Sequence, residues 1–346
     1  MRSFLFAVFL LLVLAPAGPV PAQTIDPDAA FERIDDESPG TLGVYVHDRA
    51  SGAEYTHNAD RDWYLASTVK IPLAIAVLQR VEDGELSLDD TVTLRESDVV
   101  DGSGDLVDQE PGTAVTIRTL IEKMLQNSDS VATDMLVRTL GVDSFNEQVQ
   151  DRIMGPGIGP ITSILQVRYE AYGTMHENAE RLTNADILEL RAAALGPERR
   201  ALLVEKMGVD ESDLKVPTIG EAFEQYYEED LNSGRLGAMG TLLEDLIDED
   251  LLSAEHTTFL LDTMEGVTTG DNRIKAGLPS GVRFAHKTGT QIRRACNVGV
   301  AFPEPDSRER AVVVAACIEK FKGLPAAEAA LERVGRVVGE LIQDAS

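Results

Sequence analysis

The stretch STVKIPLAIAVLQRV, Ser67 to Val81, decides how this chain folds. From Val69 to Val81 it is almost continuously apolar, broken only by Lys70, Gln79 and Arg80. A helix that is apolar all round has no face to offer water, so it must sit at the centre of a helical layer. Pro72 falls early in it, where a missing N–H is best tolerated. Lys70 is the anomaly: an amine on a helix that must be buried, with Ser67 three residues before it on the same face.

Working outward, the segment before Ser67 reads as a helix around Pro27 to Asp35, then two strand-like runs, Thr41 to Asp48 and Ala53 to His57, around a turn at Arg49 to Gly52. After it, Leu86 to about Gly196 mixes helical periodicities with turn clusters such as Asp101-Gly102-Ser103-Gly104 and lacks strand alternation. Further helical patterns follow in Val204 to Leu252, including Glu221 to Glu229 and Gly240 to Ile247. Strand character returns in Val282 to Thr290, Asn297 to Phe302 and Ala311 to Ile318. A closing helix from about Pro325 to Gln343 places Leu331, Val334, Val338 and Leu341 on one face.

Two strands at the start and three at the end predict an α/β (α+β) fold: one antiparallel five-stranded sheet built from both termini and flanked by helices, with an inserted all-α domain. The expected division is a sheet domain of residues 23–66 and 265–346 and a helical domain of 67–264, the latter with an extended acidic segment at about 197–250.

Residues 1–22 read as a secretory signal: Arg2 gives the positive start, Phe4 to Leu14 the apolar run, and Val20-Pro21-Ala22 a cut near Ala22. The run is short for a bilayer span, so the expectation is a secreted or periplasmic protein without a stable membrane anchor. The formal charge of −28 repels phosphate backbones and anionic lipid heads, which argues against nucleic-acid or membrane-surface partners. A small-molecule substrate and a monomeric chain are the expectation. Two cysteines, Cys296 and Cys317, cannot build a disulfide framework or a four-cysteine zinc site. A register that sets Phe302 opposite Ala311 also sets Cys296 opposite Cys317, and a one-residue slip would turn them to opposite faces, so both outcomes stand. Five scattered histidines show no ligand spacing, and Gly155 to Pro160 lacks the strand–helix setting of a nucleotide loop; neither a metal nor a cofactor is expected.

Three constellations carry chemistry. In Ser67-Thr68-Val69-Lys70 the amine can lie within reach of the hydroxyl, and a buried lysine loses its proton readily, so it can accept the serine proton. Ser128-Asp129-Ser130 offers a hydroxyl able to relay a proton to a leaving nitrogen, although Ser and Asp are also ordinary helix caps. In His286-Lys287-Thr288-Gly289-Thr290, alternation sets Thr288 and Thr290 on one face of a strand and Lys287 on the other, reaching toward Ser128. Gly289 permits close approach to the strand backbone, and the amides of Thr290 and Ser67 could form an oxyanion hole. Singly each string is commonplace, but S-x-x-K on an apolar helix, S-D-x in a helical region and K-T-G on a strand occur here in one order.

With these motifs the chain resembles the class A β-lactamase family and its penicillin-recognising serine-hydrolase relatives, over nearly the whole length after Gln23. The resemblance implies Ser67 as nucleophile, Lys70 as base or base partner, Ser128 as proton relay, and Lys287, Thr288, Gly289 and Thr290 as the substrate-carboxylate site. It implies a β-lactam or peptidoglycan-like substrate. Ser130 stands where the family usually has asparagine, so the substrate contact there is a shorter hydroxyl with one donor.

The family's deacylating glutamate lies in an E-x-x-L-N loop. Arg168-Tyr169-Glu170 resembles the entry to that loop, but Gly173 and Thr174 replace the Leu and Asn; Glu228-Glu229-Asp230-Leu231-Asn232 fits the string within an acidic helical stretch. Glu170 is taken as the base, with Glu228 or neither as alternatives. Without a base the serine acylates and stays blocked or turns over slowly. The leading expectation is β-lactam hydrolysis; a D,D-carboxypeptidase or ester/amide hydrolase, and a non-enzymatic lactam-binding sensor, are the alternatives. Arg293 and Arg294 could further pair with a substrate carboxylate.

Overall fold

A computed structural model describes residues 26–304 and 307–344. The signal-like residues 1–22 lie outside the described part. Five strands make the main sheet: β1 (Thr41–Asp48), β2 (Ala53–His57), β3 (Arg283–Gln291), β4 (Arg294–Phe302) and β5 (Val312–Glu319), in the order β2-β1-β5-β4-β3, all neighbours antiparallel. The two ends of the chain meet where β1 pairs with β5, Val44 opposite Ala316 and Val46 opposite Val314. The sheet is thus one hydrogen-bonded layer closed by strands more than 250 residues apart.

Alternation along the strands gives the sheet two apolar faces. Leu42, Val44, Val46, Val312, Val314 and Ala316 turn to one side, where Phe31 and Ile34 of α1 (Pro27–Glu37) pack with the closing helix. On the other side Tyr45, Val298, Val300, Val313 and Ala315 meet the helical layer. Its centre is α2 (Lys70–Glu82), whose residues from Lys70 to Gln79 are all buried, as the continuous apolar run requires. Each aliphatic side chain withdrawn there from water contributes about 1.5–3 kcal/mol. Against α2 stands α3 (Ser130–Leu140), which in turn meets α4 (Ile164–Gly173), while α5 (Leu236–Ile247) packs on β1 and β5. The closing helix, α6 (Leu324–Asp344), lays Leu331, Val334, Val338 and Leu341 on the sheet, the face read from their spacing.

Cys296 and Cys317 are directly opposed in the β4–β5 ladder and form a disulfide. The register that the short loop after Phe302 suggests is the one adopted. The helical middle is not wholly helical: residues 62–64 pair with 233–235, and 91–93 with 114–116. Three-residue strands are too short to show alternation, which is why the sequence hides them. Among the described residues no helix is long and apolar enough to cross a membrane.

Candidate active site

Ser67 does not lie within α2 but in the 3-10 turn Ala66–Val69 that leads into it. Ala66, just before it, has φ +49°, a left-handed conformation that costs a non-glycine residue of order 1–3 kcal/mol and persists only where packing enforces it. The turn is pressed against the end of β3. A Cβ on Gly289 would stand 2.5 Å from the Leu65 carbonyl oxygen and 3.2 Å from the Ser67 nitrogen, so only glycine lets strand and turn approach so closely. The Ser67 amide and the strand end bearing Thr290 are thereby neighbours, the arrangement an oxyanion hole needs.

Ser67 and Lys70 line one cavity of about 90 Å³, together with Ser130, Thr290, Gly102 and Ser103 near its opening. Lys70 is buried, and its Nζ donates to the Ser128 carbonyl at 2.7 Å, to Ser128 Oγ at 3.2 Å and, more weakly, to the Asp129 carbonyl at 3.5 Å. Burial pushes its pKa down to about 7, although Asp129 and Asp134 oppose the shift. Ser128 has φ +56°, a second strained residue, and that conformation turns its carbonyl and hydroxyl toward the amine. The following Asp129 caps α3 by accepting from the Ala132 amide, while its other oxygen holds the amides of Asp105 and Leu106. In the S-D-S string, then, the aspartate is the cap and the first serine faces the lysine.

Ser130 reaches the cavity beside Gly102, whose φ of +137° and contact with the Ser130 hydroxyl exclude a side chain there. On β3, Lys287 is fully buried and its Nζ donates to the Thr288 carbonyl at 3.0 Å rather than to Ser128; burial, then the nearby charges of Lys70 and Arg273, push its pKa well down. Thr288 Oγ1 and Thr269 Oγ1 are hydrogen-bonded at 2.6 Å. Thr290 Oγ1 accepts from Arg273 Nη2 at 2.7 Å.

Arg273 escaped the sequence reading because nothing in Thr268 to Gly277 gives it a motif. It is buried, bridges the carbonyls of Gly289 and Cys296 at 3.0 Å each, and is balanced by Glu328. It bonds the Thr290 side chain, in the place expected for Arg293 and Arg294. Those two turn away instead, both paired with Glu224.

The structure does not bring Glu170 to Ser67. Its side chain is exposed on α4 and bonded to Gln166 Nε2 at 2.6 Å, because the helix turns Val167 and Arg168 inward in its stead. Glu228 is exposed as well, in a separate recess with Arg61, Tyr227 and Arg294. Its string is split: the Asn232 end lines the Ser67 cavity while the glutamate end does not. Among the described residues no carboxylate lines that cavity. The nearest acidic influence on Lys70 besides Asp129 is Asp134, buried on α3, whose two oxygens accept from the amides of Ile164 and Leu165 at 2.6 and 3.0 Å and so tether the start of α4. Burial pushes Asp134 up to about 7. A second tether is the buried pair of Arg168 and Asp101, 2.7 Å apart, which ties α4 to the loop carrying Gly102 and Ser103.

A serine in the turn ahead of a buried helix, a lysine of lowered pKa bonded to a second serine, and a K-T-G strand edge fit the class that the sequence resembles, the penicillin-recognising serine hydrolases. The chain belongs to the beta-lactamase enzyme family, whose model matches residues 26–342. It is 26% identical over 312 residues to a beta-lactamase of Mycobacterium tuberculosis, covering 87% of this chain and 84% of that protein. It is 24% identical over 261 residues to Beta-lactamase 3 of Bacillus cereus, where the match spans 75% of this chain and 64% of that relative's length. Among solved structures, a beta lactamase from Burkholderia vietnamiensis superposes with a TM-score of 0.68 at 21% identity, over 94% of this chain and all of that one, a likeness of fold.

Proposed function

We propose that the protein is a serine hydrolase acylated at Ser67 by β-lactams, and that its turnover is limited by release of the acyl group. Ser67 Oγ attacks the lactam carbonyl, Lys70 takes its proton, and Ser128, bonded to Lys70, hands a proton to the departing nitrogen. The Ser67 and Thr290 amides receive the developing oxyanion, and the Thr288–Thr290 edge over Arg273 receives a substrate carboxylate. The observation that carries the reading is Lys70: buried, bonded to Ser128 and with a pKa near 7, it is available as a base at neutral pH. The carboxylate-free cavity supports slow release, because the water step then has only Lys70 for a base.

The same absence favours, as a second reading, a carboxypeptidase or ester/amide hydrolase that lactams block. Residues 1–22 and the Cys296–Cys317 bond support an exported, oxidising location for either. The test uses a chromogenic cephalosporin with the purified protein. One equivalent should react in a burst with a mass adduct on Ser67, followed by slow turnover, and Ser67→Ala should abolish both. Rapid multiple turnover without a burst would overturn slow release; no adduct and no turnover would overturn the acylation itself. D-alanine release from a cell-wall peptide, well above lactam turnover, would select the second reading.

A further inference from the structure

The cavity beside Ser67 is hydrophilic at its opening and aliphatic at its floor. Leu73 of α2, Val137 of α3, Ile161 and Val167 are all buried yet line it. Away from Ser67 and Ser130, the polar side chains Asn232, Thr133 and Arg168 in its wall are already partnered within the protein. Asn232 Oδ1 accepts from the Thr162 amide at 3.1 Å, and its Nδ2 donates to Thr162 Oγ1 at 2.8 Å and to the Tyr226 hydroxyl at 2.9 Å. Thr133 Oγ1 donates to the Asp129 carbonyl, and Arg168 is held by Asp101. A water at the floor would find few of the two to four partners it needs, whereas a hydrocarbon would meet the bare faces of Leu, Val and Ile.

We infer that this floor is a pocket for a short unbranched aliphatic chain on the acyl side of the substrate. The inference rests on the reading of Ser67 as nucleophile and deepens it by naming the acyl group. The whole cavity, its mouth at Ser67 included, has a volume of about 90 Å³, so there is room beyond the carbonyl only for a short chain, and a butanoyl group is the length we assign. The reaction with an ester is balanced by the protein's own groups. Ser67 Oγ bonds to the acyl carbon, the alkoxide or phenolate leaves, and the serine proton passes to Lys70. Water then adds to the acyl carbon, the Ser67 ester bond breaks, and the free acid departs as the serine regains its proton.

The experiment is a series of p-nitrophenyl esters, acetate, propionate, butyrate, hexanoate and octanoate, with phenolate release and intact mass read together. In the wild type kcat/KM for acylation should rise on the order of tenfold from acetate to butyrate and gain nothing further at hexanoate. Val137→Ala, which deepens the floor, should move the optimum to hexanoate; Val137→Phe, which fills it, should bring the butyrate-to-acetate ratio toward one. Should the phenylalanine variant not fold, the alanine variant alone decides. Equal rates across the series, a decline with length, or a rise that both Val137 variants leave unaltered would overturn the pocket while leaving Ser67 as nucleophile. No acyl adduct on Ser67 with any ester would overturn the hydrolase reading and the pocket with it.

Discussion

Burial brings the pKa of Lys70 down to about 7 from an ordinary value above 10, so the amine exchanges its proton near neutral pH. The free-base fraction climbs as pH rises through that value, so the rate of Ser67 acylation should climb with it and level off by about pH 8. Asp129 and Asp134 both favour the ammonium. Replacing Asp134 with asparagine removes one of those charges and should move the midpoint of the acid limb to lower pH, although the start of α4 loses part of its tether. Burst rates between pH 5 and 9 for both proteins check this. A midpoint near 10 in the wild type, or an upward move in the variant, would show that Lys70 is not the proton acceptor. Only part of this residue-scale site is legible in the sequence. Ser67 with Lys70, and Ser128 with Ser130, each stand in one short string, so spacing brings together the members of each pair, while the fold brings the two pairs to each other. Arg273 and Asp134 come from separate segments without local signals, and each matters through a residue outside its own segment, Thr290 and Lys70 respectively.

At the scale of elements, what fixes the site is the junction of β3 with the turn before α2, and the two tethers on α4. The sheet under that junction is stapled by the Cys296–Cys317 bond between β4 and β5. Replacing both cysteines with alanine should cost about 2–4 kcal/mol of stability, since the bond removes freedom from the unfolded chain. Both side chains are buried on the face toward the helical layer, and neither lines the Ser67 cavity, so acylation should change far less than stability. A denaturant titration of the double variant and the wild type decides it, and equal midpoints would show that the bond contributes nothing. The long strands and the central helix are readable because eight or more residues repeat one period. The short pairings at residues 62–64 with 233–235 and 91–93 with 114–116 are not, since three residues hold no period and their partners are remote.

For the whole molecule, a formal charge of −28 means that the folded chain repels itself more than the expanded one does. Raising sodium chloride from about 10 mM to 0.5 M shortens the screening distance severalfold, and the melting temperature should rise by roughly 2–5 °C. A falling melting temperature over that range would mean that paired surface charges outweigh the repulsion. Composition and periodicity are enough for the fold class and for the joining of both termini in one sheet. These rest on local patterns, an apolar run or an alternating strand, that any compact structure must satisfy by burying them. Which glutamate, if either, reaches the serine was open until the chain was folded. Glu170 and Glu228 both satisfy a string, but the direction in which a helix presents a side chain depends on what packs against it. Here Val167 and Arg168 face inward and the carboxylates face water, which leaves an aliphatic floor where a base was expected.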